Sequence, residues 1–360
     1  MKILRSLLHR GLTFREIQSR QVASTFLKQK RLSPIVVAIL HNWGDFALSL
    51  RHLTPNGDGV WGNVSFVPYG AVRNPDFVLV LNSIREWRKI LRIAPDRLWF
   101  ACSEASNEVH TLWRAGQGND STVVTTARTS KDKIGARKYI QSPPITPSWW
   151  VHKSYRQLVN SDVILKSRNL SWITSNFNNL QGHRNRLEFL ERLRHEVDFD
   201  LFGRGFLPLD DKWEGLAPYR YSIAFENTRA QDYFTEKIMD CFVCNTLPIY
   251  FGAPNIGKYF PEKSFITLDP NAPNLFKEIR EIASSDLWRE RLPYILEAKD
   301  LVLNKYNMYA RLAGWFNEAD RQKKLAKRWI LLKRQRLNFD VSLNASLGQL
   351  ESNRSEKVRF

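Results

Sequence analysis

The chain has 360 residues, 43% apolar and 25% charged, a globular composition that excludes an intrinsically disordered chain. Its 54 Lys and Arg against 36 Asp and Glu give a formal charge of +18, which suits a polyanionic partner: nucleic acid, anionic lipid or a phosphorylated substrate. Three cysteines (Cys102, Cys241, Cys244) are too few for a disulfide framework at this length, and no apolar run approaches the ~20 residues of a membrane helix.

A chain this long is expected to build two cores. Residues 1–10 mix Leu with basic residues, too interrupted by charge for a secretion signal, so the expected location is cytoplasmic. Residues 34–40 read as a buried strand running into a polar turn that holds Asp45, and 77–81 as a second strand. A helix is expected over 84–91, stopped by Pro95, and a strand over 97–101 that leads into Ser103, Glu104 and Glu108. Residues 121–147, rich in Ser, Thr, Lys and Pro, give no sustained periodicity and are expected to form surface loops.

The alternation restarts after a boundary near 155–168. Strands are expected at 170–174, 197–202, 221–225, 247–251 and 264–268, with a helix over 186–194. Strands separated by helices predict an α/β fold with parallel sheets. The predicted organisation is an N-terminal domain over 1–165, a second α/β domain over 166–305 and a helical basic tail over 306–360. Between Arg321 and Arg336 there are eight Lys or Arg and no carboxylate. Leu325, Trp329 and Leu332 fall there at helical spacing. Residues 321–337 are therefore expected to form an amphipathic basic helix, which either rests on anionic membrane or packs on the protein itself.

The most informative stretch runs from Tyr219 to Lys237. A strand delivers Glu226 and Asn227 at its C-terminal end, where α/β sheets bind ligands. Thr235 can cap a helix that begins at Glu236, which places Lys237 in the first turn beside the positive end of the helix dipole. A cation there is costly unless an anion joins it. A diphosphate fits that requirement, with Glu236 free to accept from ribose hydroxyls. The plainer alternative is a capped core helix whose Glu236 and Lys237 face water.

Phe225-Glu226-Asn227-Thr228, a spacer, Asp232-Tyr233-Phe234-Thr235-Glu236-Lys237 and then Leu247-Pro248-Ile249-Tyr250-Phe251-Gly252 resemble the donor-binding motif of glycosyltransferase family 10, the α1,3/4-fucosyltransferases. Trp172 to Asn176, Arg186 and Val197 to Gly203 also resemble that family, so the likeness covers roughly residues 170–270. The resemblance implies a GT-B-like architecture, two Rossmann-like domains facing across a cleft, with GDP-fucose in the C-terminal domain and a glycan hydroxyl as acceptor. By position, Arg186 and Lys237 would neutralise the diphosphate, Glu236 would hold the ribose, and Asn227 and Tyr233 would shape the nucleotide pocket. No cofactor or divalent metal is expected to be required.

An inverting transfer needs one carboxylate to take the acceptor proton. The family places its base in a loop corresponding to that of Glu104; Glu108 and Asp45 are rivals, and a surface Glu without a role is the alternative. Asp198-Phe199-Asp200 imitates the Asp-x-Asp of metal-dependent transferases but also fits a structural strand. Cys241 and Cys244 have redox or half-zinc spacing, yet lie in an apolar run without a second ligand pair and are expected as buried thiols. Two further readings stay open: the same fold with another nucleotide sugar, and a basic nucleic-acid-binding protein. Against the latter, the basic residues cluster in the tail without the aromatic–basic pattern of an RNA-binding sheet.

Overall fold

The computed structural model describes residues 34–41, 52–82, 84, 88–101, 121–126, 136–322 and 325–333. Its first sheet has seven strands. In chain order the strands are β1 (Ile35–His41), β2 (Val60–Trp61), β3 (Val64–Pro68), β4 (Phe77–Leu81), β5 (Arg88–Ile93), β6 (Leu98–Ala101), β7 (Ser121–Thr125) and β8 (Ala136–Gln141). The sheet order is β2-β3-β1-β4-β6-β7-β8, parallel throughout except at β2, and β5 lies outside it. The central strand β4 is buried at every position, as a strand covered on both faces must be.

β7 and β8 correct the expectation of loops over 121–147. Ser121-Thr-Val-Val-Thr125 is buried on both faces, so it shows no alternation for a periodicity argument to detect. Within the helix expected over 84–91, residues 88–91 belong instead to the strand β5. Leu91 and Ile93 are buried while Ile90 and Arg92 are exposed, a period of two.

After a crossing segment and the short helix α1 (Tyr155–Val159), the second sheet begins with β9 (Arg168–Ile173). It continues through α2 (Gln181–Arg194), β10 (Asp200–Phe202), β11 (Tyr219–Phe225), α3 (Glu236–Val243), β12 (Leu247–Phe251) and β13 (Ile266–Thr267). Its order is β10-β9-β11-β12-β13, and every pair is parallel. The α/β fold with parallel sheets is as the sequence predicts. Cys241 and Cys244 are buried thiols, 1% exposed each.

Helices α4 (Leu275–Ser284) and α5 (Leu287–Asp300) pack on the second sheet, and α6 (Met308–Asp320) returns to the first. On α6, Phe316 meets Phe77 and Trp99 at 4.8 Å ring separation, and Arg311 donates to the Pro144 carbonyl of the crossing segment at 3.0 Å. The basic stretch beyond it is not the expected amphipathic helix. Arg328–Lys333 is a strand, β14, antiparallel to β5. Leu332 is 1% exposed and Trp329 71%, so neighbours in the register alternate faces instead of sharing a helical one. Among the described residues no helix is long and apolar enough to cross a membrane.

Candidate active site

In the second sheet, β9 leads through α2 to β10 on one side, while its neighbour on the other side is β11. Connections diverge at this point, and in open parallel sheets a crevice opens there at the C-terminal ends of the strands. The helices α2 and α3 begin on its flanks. A Cβ on Gly182 would stand 1.7 Å from the Asn227 carbonyl oxygen, so only glycine lets the first turn of α2 close against the end of β11. Neither helix has a side chain capping its first turn.

Arg186, on α2 and 4% exposed, bridges the crevice. One guanidinium nitrogen donates to Asn227 Oδ1 at 2.6 Å, and another to the Ser175 carbonyl at 3.0 Å and its hydroxyl at 3.2 Å. These partners are neutral. Among the described residues no carboxylate lies within ion-pair distance of Arg186, and its buried Nε has no partner. Burial pulls its pKa below the ordinary arginine range, with Glu226 opposing from further off. A buried cation held by neutral groups is set to receive an anion.

Lys237 stands differently from the sequence expectation of a cation lacking its anion. Its Nζ donates to Glu226 Oε2 at 3.0 Å and to Thr235 Oγ1 at 3.0 Å. Glu226, the residue after β11, is fully buried. Thr235 is spent on the same carboxylate: its N–H reaches Glu226 Oε1 at 2.7 Å, and its hydroxyl lies 2.9 Å from both oxygens. Thr235 precedes α3 as expected, but its side chain serves this ion pair instead of capping the helix. Burial pulls the Lys237 pKa down; Glu226 and then Glu236 outweigh it and hold the ammonium above its ordinary range. An ammonium has three N–H groups. The Glu226 and Thr235 bonds occupy two and aim the third, and the side chain keeps 24% exposure.

Glu236 lies between two cations, Lys237 at 3.7 Å and Lys212 at 3.9 Å. Lys212 is anchored by Asp240 at 2.7 Å. Burial raises the Glu236 pKa, but the two lysines outweigh it and keep the carboxylate ionised and able to accept from hydroxyls. Tyr233, 4% exposed, follows Asp232, which holds a left-handed φ of 61°. Three donors fix the Asp232 carboxylate: Tyr259 at 2.5 Å, Asn255 at 2.6 Å and Gln141, from the edge of the first sheet, at 2.9 Å.

The structure thus gathers Arg186, Asn227, Glu236 and Lys237 at one crevice, with Tyr233 in the loop beside it. Glu104, Glu108 and Asp45 lie outside the described residues. Asp200 sits at the opposite, N-terminal edge of the sheet, where it accepts from Tyr219 at 2.7 Å and Arg168 at 2.9 Å; that is a structural knot. Among the described residues no group of three or more His, Cys, Asp or Glu could hold a metal ion. Sequence reasoning missed the ion-pair role of Glu226, and it missed Lys212 and Gly182. Glu226 had a signal in its place at a strand's C-terminal end, whereas Lys212 arrives from a distant turn without one.

Residues 163–289 match the family model described as glycosyltransferase family 10 (fucosyltransferase) C-term, which bears out the resemblance read over 170–270. The alpha-(1,3)-fucosyltransferase FucT of Helicobacter pylori is 43% identical over 58 residues, 16% of this chain and 12% of that protein. Alpha-(1,3)-fucosyltransferase 4 of Bos taurus is 25% identical over 177 residues, 41% of this chain and 44% of that protein. The matches thus span less than half the length of these relatives. A crystal structure of an alpha1,3-fucosyltransferase with GDP-fucose superposes with a TM-score of 0.48 at 17% identity, covering 83% of this chain and 94% of that one.

Proposed function

We propose that this protein is an inverting glycosyltransferase that moves fucose from GDP-fucose to a hydroxyl of a glycan acceptor. The observation that carries the reading is the buried Arg186 bridging α2 to Asn227 at the sheet's switch point, inside the stretch that matches the fucosyltransferase family. In this reading the diphosphate meets Arg186, the free N–H of Lys237 and the uncapped first turns of α2 and α3. Glu236 accepts from the ribose hydroxyls, and Asn227 and Tyr233 bound the nucleotide.

The acceptor oxygen attacks the anomeric carbon from the face opposite GDP. The bond from that carbon to the phosphate oxygen breaks, the acceptor proton passes to a carboxylate, and the sugar configuration inverts. Negative charge grows on the departing diphosphate, and fixed cations stabilise that charge without reorganising. Such a reaction needs no divalent metal from this site. Glu104 is our candidate for the proton acceptor. The two sheets would face each other as a GT-B-like pair, residues 1–165 on the acceptor side and 166–305 holding the donor.

The test is release of GDP from GDP-fucose by the full chain across galactose- and N-acetylglucosamine-terminated acceptors, with and without EDTA. The expected result is acceptor-dependent GDP release that persists in EDTA. Acceptor-dependent release from another nucleotide sugar, and none from GDP-fucose, would keep the fold and overturn the substrate.

A further inference from the structure

The charges around the crevice balance before any donor arrives. Lys237 faces Glu226 at 3.0 Å, Lys212 faces Asp240 at 2.7 Å, and Glu236 stands within 4 Å of both lysines, against the single charge of Arg186. A nucleotide-sugar diphosphate carries two negative charges. Bringing it into a neutral, largely buried site leaves an uncompensated charge, which is costly. Arg184 supplies part of the answer from the rim, where its guanidinium holds the Asn178 carbonyl and Gln181.

His183 is placed to supply the rest. It lies in the first turn of α2, next to Gly182 against Asn227 and one turn before Arg186, so the two share a helix face. Phe177, from the loop after β9, flanks the ring at 6.4 Å. The residue is half-buried, and its Nδ1 is buried with no partner. The groups facing it are Arg186 and Arg184 from its own helix and Lys237 from α3, behind which stand Glu226 and Glu236.

We propose that His183 is a further donor-binding group, neutral in the empty crevice, that takes up a proton from solvent as the diphosphate enters. Burial first, then Arg186, Lys237 and Arg184, lowers its proton affinity in the empty site. An entering dianion reverses the sign of its surroundings. Binding then favours the protonated ring, so donor affinity falls as pH rises. The inference rests on the donor reading above.

The experiment is calorimetric titration of GDP-fucose into the full chain between pH 6 and pH 8, in buffers of differing ionisation enthalpy. GDP-fucose is the probe because neither phosphate of its diester titrates in that range. Wild type should take up a proton near pH 7 and lose about tenfold in affinity from pH 6 to pH 8. His183→Gln should bind without proton uptake and with a flat pH profile. His183→Arg, with a permanent charge, should bind tightly at every pH and shows that the position tolerates change. Wild-type binding without proton uptake, or uptake that His183→Gln retains, overturns the inference while leaving the donor reading standing. Absence of binding in wild type overturns both.

Discussion

The Arg186 guanidinium and the Asn227 side-chain oxygen meet at 2.6 Å across the crevice between β9 and β11. The contact ties the helix that follows one strand to the end of its neighbour, and it fixes the direction in which a buried charge points. Asn227→Ala should keep that charge and lose its aim. Donor KM should rise roughly tenfold and the melting temperature should fall by a few degrees, since one hydrogen bond to a charged group contributes about 1.5–3 kcal/mol. Arg186→Lys should resemble Arg186→Ala more than wild type, because an ammonium lacks the planar fork that reaches both Asn227 and Ser175. Steady-state kinetics against donor concentration decide both.

Lys237→Ala should act on stability as well as on turnover. It leaves the Glu226 carboxylate, fully buried, without its cation. Stranding one member of a buried pair costs about 3–5 kcal/mol. Glu226→Gln should act in the opposite order, keeping the shape around Thr235 while releasing Lys237. Urea unfolding of the two variants beside wild type measures the difference. Equal midpoints for wild type and Lys237→Ala would mean that the ion pair contributes nothing to stability.

Much of the second sheet was legible because its strands end in recognisable punctuation. Val197 to Gly203 and Leu247 to Gly252 each close on a glycine, and Phe225-Glu226-Asn227 breaks from apolar to polar at the sheet edge. That Asn227, Tyr233, Glu236 and Lys237 gather at one place was legible for the same reason: they lie within one continuous stretch, which Arg186 joins from α2. Contacts between distant segments were not. Lys212 beside Glu236, and Gln141 on Asp232, depend on how the sheets fold back and leave no local pattern. β14 misled because Leu325, Trp329 and Leu332 fit a helical face, while pairing with β5 put Trp329 and Leu332 on opposite sides.

A pH effect on stability follows from Lys166. Its Nζ is buried and donates to the carbonyls of Ala217 and Cys244 and to Thr246. Burial lowers its pKa from 10.5 to about 8. Between those values the unfolded chain holds a proton that the folded chain has lost, so stability rises with pH across that window. Cys241 and Tyr219, both raised to about 12, pull the other way; comparison with Lys166→Met subtracts Tyr219, and a Cys241→Ser, Cys244→Ser background removes the thiols that Lys166 itself acts on. The wild-type stability minus that of the variant should grow by about 3 kcal/mol from pH 8 to 10.5. A constant difference would mean that Lys166 stays charged in the fold.

Glu104→Gln separates the chemistry from the donor site. The amide preserves shape and cannot accept a proton, so GDP-fucose affinity should hold while kcat for transfer falls by about 10²–10⁴. Normal transfer in this variant, with loss in Glu108→Gln or Asp45→Asn, would move the base to one of those residues and leave the crevice assignment intact.

In the proposed reading the crevice bridged by Arg186 binds the nucleotide sugar. Calorimetric titration of GDP-fucose into wild type and Arg186→Ala, with circular dichroism confirming that both are folded, tests it most directly. Saturable binding at one site per chain is expected in wild type. Arg186→Ala should bind weaker by about 10²-fold, the loss expected when a preorganised charged donor is removed from a buried anion site. Absence of binding in wild type, or equal affinity in a folded Arg186→Ala, would contradict it.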